Sequence, residues 1–250
     1  MISLKRIRKG GISRVSRMVA LTQTKLTGGT QFCNACNKAV ARFYNYGSRP
    51  WGCPYCQSST RERFVIELID QGVLALRDDM QSLLHVAPSE IGIINRFQMR
   101  EDYHPVDLFP NLYPAVATKP IDLMDMNDSE RYDVVYLSHV MEHVPDDTIV
   151  FSNLHRSLKA GGQAWILVPI WDQPTKHGGL KMSAREREQH FGQWDHVRQY
   201  GADLKQKMES HGFCVDVHKA EQIDPKTFSR LGLHRDDWVF CGTKASKDHR

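Results

Sequence analysis

Six cysteines carry the first chemical signal, and four of them fall into two pairs, Cys33-x2-Cys36 and Cys53-x2-Cys56, with sixteen residues between the pairs. Each pair suits a tight knuckle that aims two thiolates at one ion. Two knuckles complete a tetrahedral Zn2+ site with no open position, so the expected zinc is structural. Gly52 and Pro54 flank Cys53, as such a turn needs. Phe43, Tyr44, Tyr46 and Trp51 lie between the knuckles and could cover a small ribbon. A module this small would draw much of its folding energy from the metal. Cys214 and Cys241 stand alone and read as packing residues. The pattern fits a reducing compartment, not a secreted disulfide framework.

Two further groups can do chemistry. Ser138, His139, Glu142 and His143 form a polar corner directly after an apolar burst, Val134–Leu137. His139 can act as a base or orient a substrate, although a histidine beside a carboxylate is often a structural pair. The segment 171–203 holds His177, His190, Asp195, His196, Arg198 and Tyr200, too many capable side chains for a plain connector. Arg198 suits an anionic group. Asp195 with His196 can take a proton from a hydroxyl nucleophile. The plainer alternative makes Asp195 a helix cap and Arg198 a partner in a surface ion pair.

The elements that must position these groups can be read from the run Tyr132–Pro169. Val134–Leu137 suits a strand buried on both faces of a parallel sheet. A helix should follow from Pro145, with Asp146 or Asp147 as its cap and Ile149, Val150, Leu154 and Leu158 on one side. Lys159-Ala160-Gly161-Gly162 should close it. A second strand, Ala164–Val168, then stops at Pro169. This strand–helix–strand unit belongs to a doubly wound α/β sheet. Further elements are expected at Arg61–Leu76 (helix), Leu83–Pro88 (strand), Ile91–Phe97 (helix, with Met99 as the alternative end), Ala202–His211 (helix), Phe213–Val217 (strand) and Trp238–Thr243 (strand).

The pattern D-x-V-x-x-x-x-V-x-E-H-V-P-D-D, followed by L-K-A-G-G and an apolar strand ending in proline, resembles the middle of class I S-adenosyl-L-methionine (SAM) dependent methyltransferases, closest to the methyltransferase type 11 group. The segments CPYCQSSTRERFVIEL, HVAPSE and FGQWDHVRQYG resemble a zinc-knuckle subset of these enzymes, often linked to glycan modification. The resemblance implies a mostly parallel, Rossmann-like methyltransferase sheet with a small N-terminal zinc ribbon. It divides the chain into a basic arm (1–31), a ribbon (32–60) and a methyltransferase domain (61–245), with 171–203 as a substrate-covering insertion. It also implies a cofactor site. His85, Ala87, Pro88 and Glu90 stand where most such enzymes have a glycine-rich loop, and here only Gly92 remains of it. Asp107, at the end of the second strand, is placed to accept both ribose hydroxyls. Asp122 and Leu123 would meet the adenine, with Asp125 as the rival to Asp122. Ser138 and His139 would face the methyl donor. His139, Asp195 and His196 are the candidates for catalysis, and His177, His190, Arg198 and Tyr200 for substrate binding.

Charge adds a second theme. Residues 1–61 contain eleven Lys/Arg and no Asp/Glu, whereas the remainder has 22 Lys/Arg against 29 Asp/Glu. The basic end can meet a polyanion or an anionic membrane surface. Ile12, Val15, Val19 and Met18 could line one side of a short helix between Gly10-Gly11 and Gly28-Gly29; the alternative is a solvated, partly disordered tail. An organelle transit peptide has the same composition; our reading is a basic arm in a cytoplasmic protein. No stretch is long enough to span a membrane.

The sequence therefore predicts methyl transfer to an oxygen or nitrogen of a small-molecule or glycan acceptor. The alternatives are an RNA methyltransferase that uses the basic ribbon end, and an inactive methyltransferase fold that serves as a binding module.

Overall fold

The computed structural model describes residues 4–47, 49–74 and 82–246. In chain order the elements begin with α1 (Leu4–Thr27), β1 (Gln31–Cys33), β2 (Lys38–Val40), β3 (Tyr44–Tyr46), β4 (Arg49–Gly52) and α2 (Thr60–Asp70). Then come β5 (Leu83–Val86), α3 (Ile91–Phe97), β6 (Tyr103–Asp107), β7 (Lys119–Pro120), β8 (Tyr132–Ser138), α4 (Asp147–Ser157) and β9 (Leu158–Leu167). The chain continues through α5 (Ala184–Phe191), α6 (Leu204–Ser210), β10 (Phe213–Lys219), α7 (Pro225–Leu231) and β11 (Trp238–Lys244). It divides into two compact units. One comprises Met1–Ala75, Glu90–Arg96 and Lys219–Asp237; the other comprises Leu76–Ser89, Phe97–His218 and Trp238–Arg250.

The second unit is a seven-stranded sheet in the order β10-β11-β9-β8-β5-β6-β7. The pairs β7–β6, β6–β5, β5–β8 and β8–β9 are parallel, and β11 runs antiparallel to β9. Every residue of β5 and β8 is buried, as a central strand covered on both faces requires. Strand order reverses between β5 and β8, so their carboxyl ends open the crevice where this class of sheet takes its ligands. One face of the sheet packs Leu84, Val86, Val135, Leu137, Ile166 and Phe240 against Val150, Phe151 and Leu154 of α4. Ile149, expected on that stripe, points outward and is 40% exposed. Asp146 caps α4 by accepting from the Thr148 and Ile149 amides. The helix ends at Ser157, short of the glycines. Gly161 instead takes a positive φ of 75° within the opening turn of β9.

The first unit is built on two antiparallel hairpins, β1–β2 and β3–β4. The basic arm is a helix, and Gly10 and Gly11 do not break it. Its docking stripe is polar and small: Ser16 accepts from the Asn45 amide, Arg17 donates to the carbonyls of Pro54 and Tyr55, and Thr24 accepts from the Ala41 amide beside buried Ala20. Val15, Met18 and Val19, expected to form the inner side, are exposed because the ribbon offers α1 backbone donors and acceptors instead of an apolar surface. The expected Ile12 contribution lies outside the described side chains. Helix α2 starts one residue early, on a capping box between Ser59 and Glu62, and stops at Asp70. Residues 71–74, expected to continue it, form a turn with Gly72 at φ 72°, and 75 and 76 lie outside the described residues.

Arg63 fills the centre of this unit with no exposed surface. Its guanidinium donates to the carbonyls of Leu231, Ser58, Trp51 and Gly232, and its carbon lies 3.7 Å from the centroid of the Phe43 ring. One cation thus ties the ribbon, α2 and α7 together through charge-assisted bonds. Among the described residues no helix is long and apolar enough to cross a membrane.

Candidate functional site

Cys33 ends β1 and Cys36 lies in the β1–β2 turn, and the turn after β4 carries Cys53 and Cys56. The four sulfurs lie within 4.8 Å of one another, with Cys33–Cys56 and Cys36–Cys53 both at 3.7 Å. Four sulfurs about 2.3 Å from one zinc ion stand roughly 3.8 Å apart, so this donor set fits the ion. Hydrogen bonds from Cys36 and Cys53 pull the Cys33 thiol down to about 6. The same kind of contact, first from Cys33, pulls Cys56 below its ordinary value. The same contacts, first from Cys33, push Cys36 and Cys53 up, so two of the four thiols are disposed to thiolate and two hold their protons until a cation displaces them.

At the crevice of the large sheet, the turn after β5 is made without its usual glycine. Ala87 takes φ 53°, the left-handed conformation that glycine normally supplies, and its amide donates to the Val106 carbonyl. One residue of this turn thus adopts the conformation that a glycine would supply. Pro88 is buried beside it and Ser89 is exposed. His85 lies within the sheet, where its Nδ1 is 2.8 Å from the Tyr103 hydroxyl and its ring packs on Tyr136. Glu90 is buried in the first unit and raises the pKa of Glu62.

Asp107 ends β6, half-buried. Its carboxylate accepts from the Phe109 amide at 2.6 Å and the Tyr113 hydroxyl at 3.2 Å, and each oxygen keeps a lone pair for another donor. Asp122 is exposed and accepts from the Met124 amide. Leu123 is buried in the core, and Asp125 is exposed. Ser138, at the end of β8, is 5% exposed, and its hydroxyl finds no hydrogen-bond partner among the described residues.

The richest corner follows Ser138. His139 takes φ 58°, and its Nδ1 lies 3.1 Å from Oε1 of Glu142, a carboxylate with 1% of its side chain exposed. Burial pushes the Glu142 carboxyl up, but the hydrogen bond and charge of His139 and the charge of His143 outweigh it and hold the group below its ordinary value. The segment 191–198 supplies the facing wall. His143 Nδ1 lies 3.3 Å from the Asp195 carbonyl oxygen and 3.6 Å from its carboxylate. The His143 and His196 rings meet edge to face at 4.8 Å. Burial pushes the His196 imidazole down, against the charges of Glu142 and Asp195. The structure therefore brings His139, Asp195 and His196 to one end of the sheet.

Arg198 and Tyr200 take a different role from the substrate contact expected of them. Arg198 is buried and donates to the carbonyls of Met141, Val144 and Pro145, with Nε 3.4 Å from Asp147. Tyr200 is fully buried and donates to Asp147 at 2.7 Å. Both side chains fix the turn that carries Glu142 and His143. The signal for this lay in Asp147, whose carboxylate gathers Arg198, Tyr200 and Lys207. His177 and His190 are exposed, and Lys176 donates to His190. Gly179 packs on the Val197 backbone, where a Cβ would collide.

A model described as a methyltransferase domain matches residues 64–218. No curated protein matches the chain. A SAM-dependent methyltransferase from Archaeoglobus fulgidus shares the fold, with a TM-score of 0.51 at 12% identity over 74% of this chain and 94% of that one. A Bacillus halodurans protein described as a methyltransferase gives 0.45 at 15% identity over 72% and 99%. The 1,6-didemethyltoxoflavin-N1-methyltransferase of Burkholderia thailandensis, solved with 1,6-didemethyltoxoflavin and S-adenosylhomocysteine, gives 0.46 at 16% identity over 74% and 87%.

Proposed function

We propose, from the premise that this chain belongs to the methyltransferase-domain family and is a methyltransferase enzyme, that it moves a methyl group from SAM to an oxygen or nitrogen of a small-molecule or glycan acceptor. The observation that carries the reading is the corner at the end of β8, where half-buried His139 is paired with a buried glutamate. Bound SAM supplies an electrophilic methyl group on a sulfonium. The chain's task is then to hold the acceptor in line and remove its proton. His139, oriented by Glu142, is the base we assign, and Asp195 and His196 line the same corner. Asp107 offers its carboxylate to the ribose hydroxyls, the Ala87 turn lets backbone approach the methionine part, and the unpaired Ser138 hydroxyl faces the same end of the strands. Asp122 and Leu123 are assigned to the adenine side, and Zn2+ to the four cysteines as a structural ion.

The test is transfer of labelled methyl from SAM to a panel of sugar, amine and hydroxy-acid acceptors. We expect wild-type turnover and a loss of about 10²–10⁴-fold in kcat for His139→Ala. Turnover unchanged by that substitution removes His139 from the reaction, and no turnover across the panel counts against a small acceptor. A second reading, methylation of RNA, is favoured by the acid-free helix α1. It predicts retention on RNA that falls steeply with salt.

A further inference from the structure

We propose that Glu142, His143 and His196 form a second metal site, for a divalent transition-metal ion, at the carboxyl end of β8. One ligating atom from each residue lies within 4.8 Å of those of the other two. The orientation of the imidazoles is the stronger observation. His196 Nδ1 faces the Phe191 carbonyl oxygen at 3.2 Å, and His143 Nδ1 faces the Asp195 carbonyl oxygen at 3.3 Å. A carbonyl only accepts, so each Nδ1 carries the proton and each Nε2 keeps the lone pair. A backbone carbonyl on the far nitrogen is the arrangement that orients a ligating histidine and fixes its tautomer.

Glu142 supplies the anion. Its side chain is 1% exposed, Oε1 lies 3.1 Å from His139 Nδ1, and neither oxygen accepts a hydrogen bond of good geometry among the described residues. A buried carboxylate oxygen left unmatched is costly. Two neutral imidazoles beside it would not match it; a cation would. The bland alternative is that protons fill the corner, with His139 and His143 charged against Glu142. Only a metal draws His196 into one set with Glu142 and His143.

Donors about 2.1 Å from one ion stand roughly 3–3.5 Å apart, so the three must close by about an ångström on loading. Two nitrogens and one carboxylate oxygen suit zinc, cobalt, iron or manganese and leave positions open. An acceptor oxygen placed there would be held and acidified beside the methyl donor. That role rests on the methyltransferase reading; binding of the ion does not.

The test uses the full chain, first given a single zinc ion to fill the cysteines. Mn2+ is then titrated by its paramagnetic resonance signal, since thiolates select poorly for it, and Co2+ by its visible absorbance. We expect one further equivalent of Mn2+ or Co2+ to bind wild type, and Glu142→Gln and His196→Gln to weaken it at least ten-fold while zinc content is unchanged. Where a buried variant does not fold, His143→Gln, at a more exposed position, must show the same loss. No further equivalent in wild type up to about 1 mM metal, or unaltered affinity in the folded variants, overturns the proposal. S-adenosylhomocysteine binding measured on the same samples separates failure of the metal site from failure of the methyltransferase reading.

Discussion

The four-cysteine cluster and the corner at the end of β8 differ in how they are encoded. The cysteines come from two local knuckles, each specified by two-residue spacing, and their donors are chemically alike. The β8 corner joins residues 139–143 to residues 191–198 and mixes acid, base and amide groups. Its chemistry depends on which nitrogen faces a carbonyl and which carboxylate is buried. A local motif thus reads as a ligand set, whereas an assembled corner becomes readable only once its neighbours are known.

Breaking the first region should have the largest effect. Cys53→Ser should abolish zinc binding and unfold the ribbon, because structural zinc contributes on the order of 10 kcal/mol to such modules. Elemental analysis and loss of cooperative unfolding in that unit would report it. In the second region, Arg198→Met removes the guanidinium that holds the 141–147 turn and leaves Asp147 without one of its cations. The expected loss is about 3–5 kcal/mol by denaturant unfolding. Arg63→Met should cost a similar amount in the first unit, for the same reason.

The regions should also separate by pH. Burial first, then the charge of Glu90, pushes the Glu62 carboxyl from 4.5 up to about 8. Its folded pKa is raised, so its contribution to stability is complete below about 4.5 and is lost as pH rises towards 8. Glu62→Gln should flatten that decline in a thermal series from pH 5 to 8.5. Asp147 has the opposite sign. Burial pushes its carboxyl up, but Lys207, Tyr200 and Arg198 outweigh it and hold it below 3.8. Its contribution is present above that value and is lost as pH falls through the lower folded value.

Much of the sheet was legible. The burst Val134–Leu137 lies in β8, and the expected Ile91–Phe97 helix has those bounds. Periodicity failed where tertiary partners decided the outcome. Val15, Met18 and Val19 form an apolar pattern, yet the polar stripe of α1 is the one that docks, because backbone amides of the ribbon need acceptors. Arg198 and Tyr200 read as substrate contacts, since nothing local to them announces that Asp147 lies opposite. Ala87 hid a glycine-like turn, because a positive φ at alanine leaves no mark in composition.

This glycine-poor crevice should bind the methyl donor. The most direct test is calorimetric titration of zinc-loaded protein with S-adenosylhomocysteine, beside Asp107→Ala. The wild type should bind with micromolar affinity, and the substitution should weaken it about ten-fold, or roughly 1.4 kcal/mol. No binding by the folded wild type would contradict this and leave a methyltransferase fold used for something other than methyl transfer.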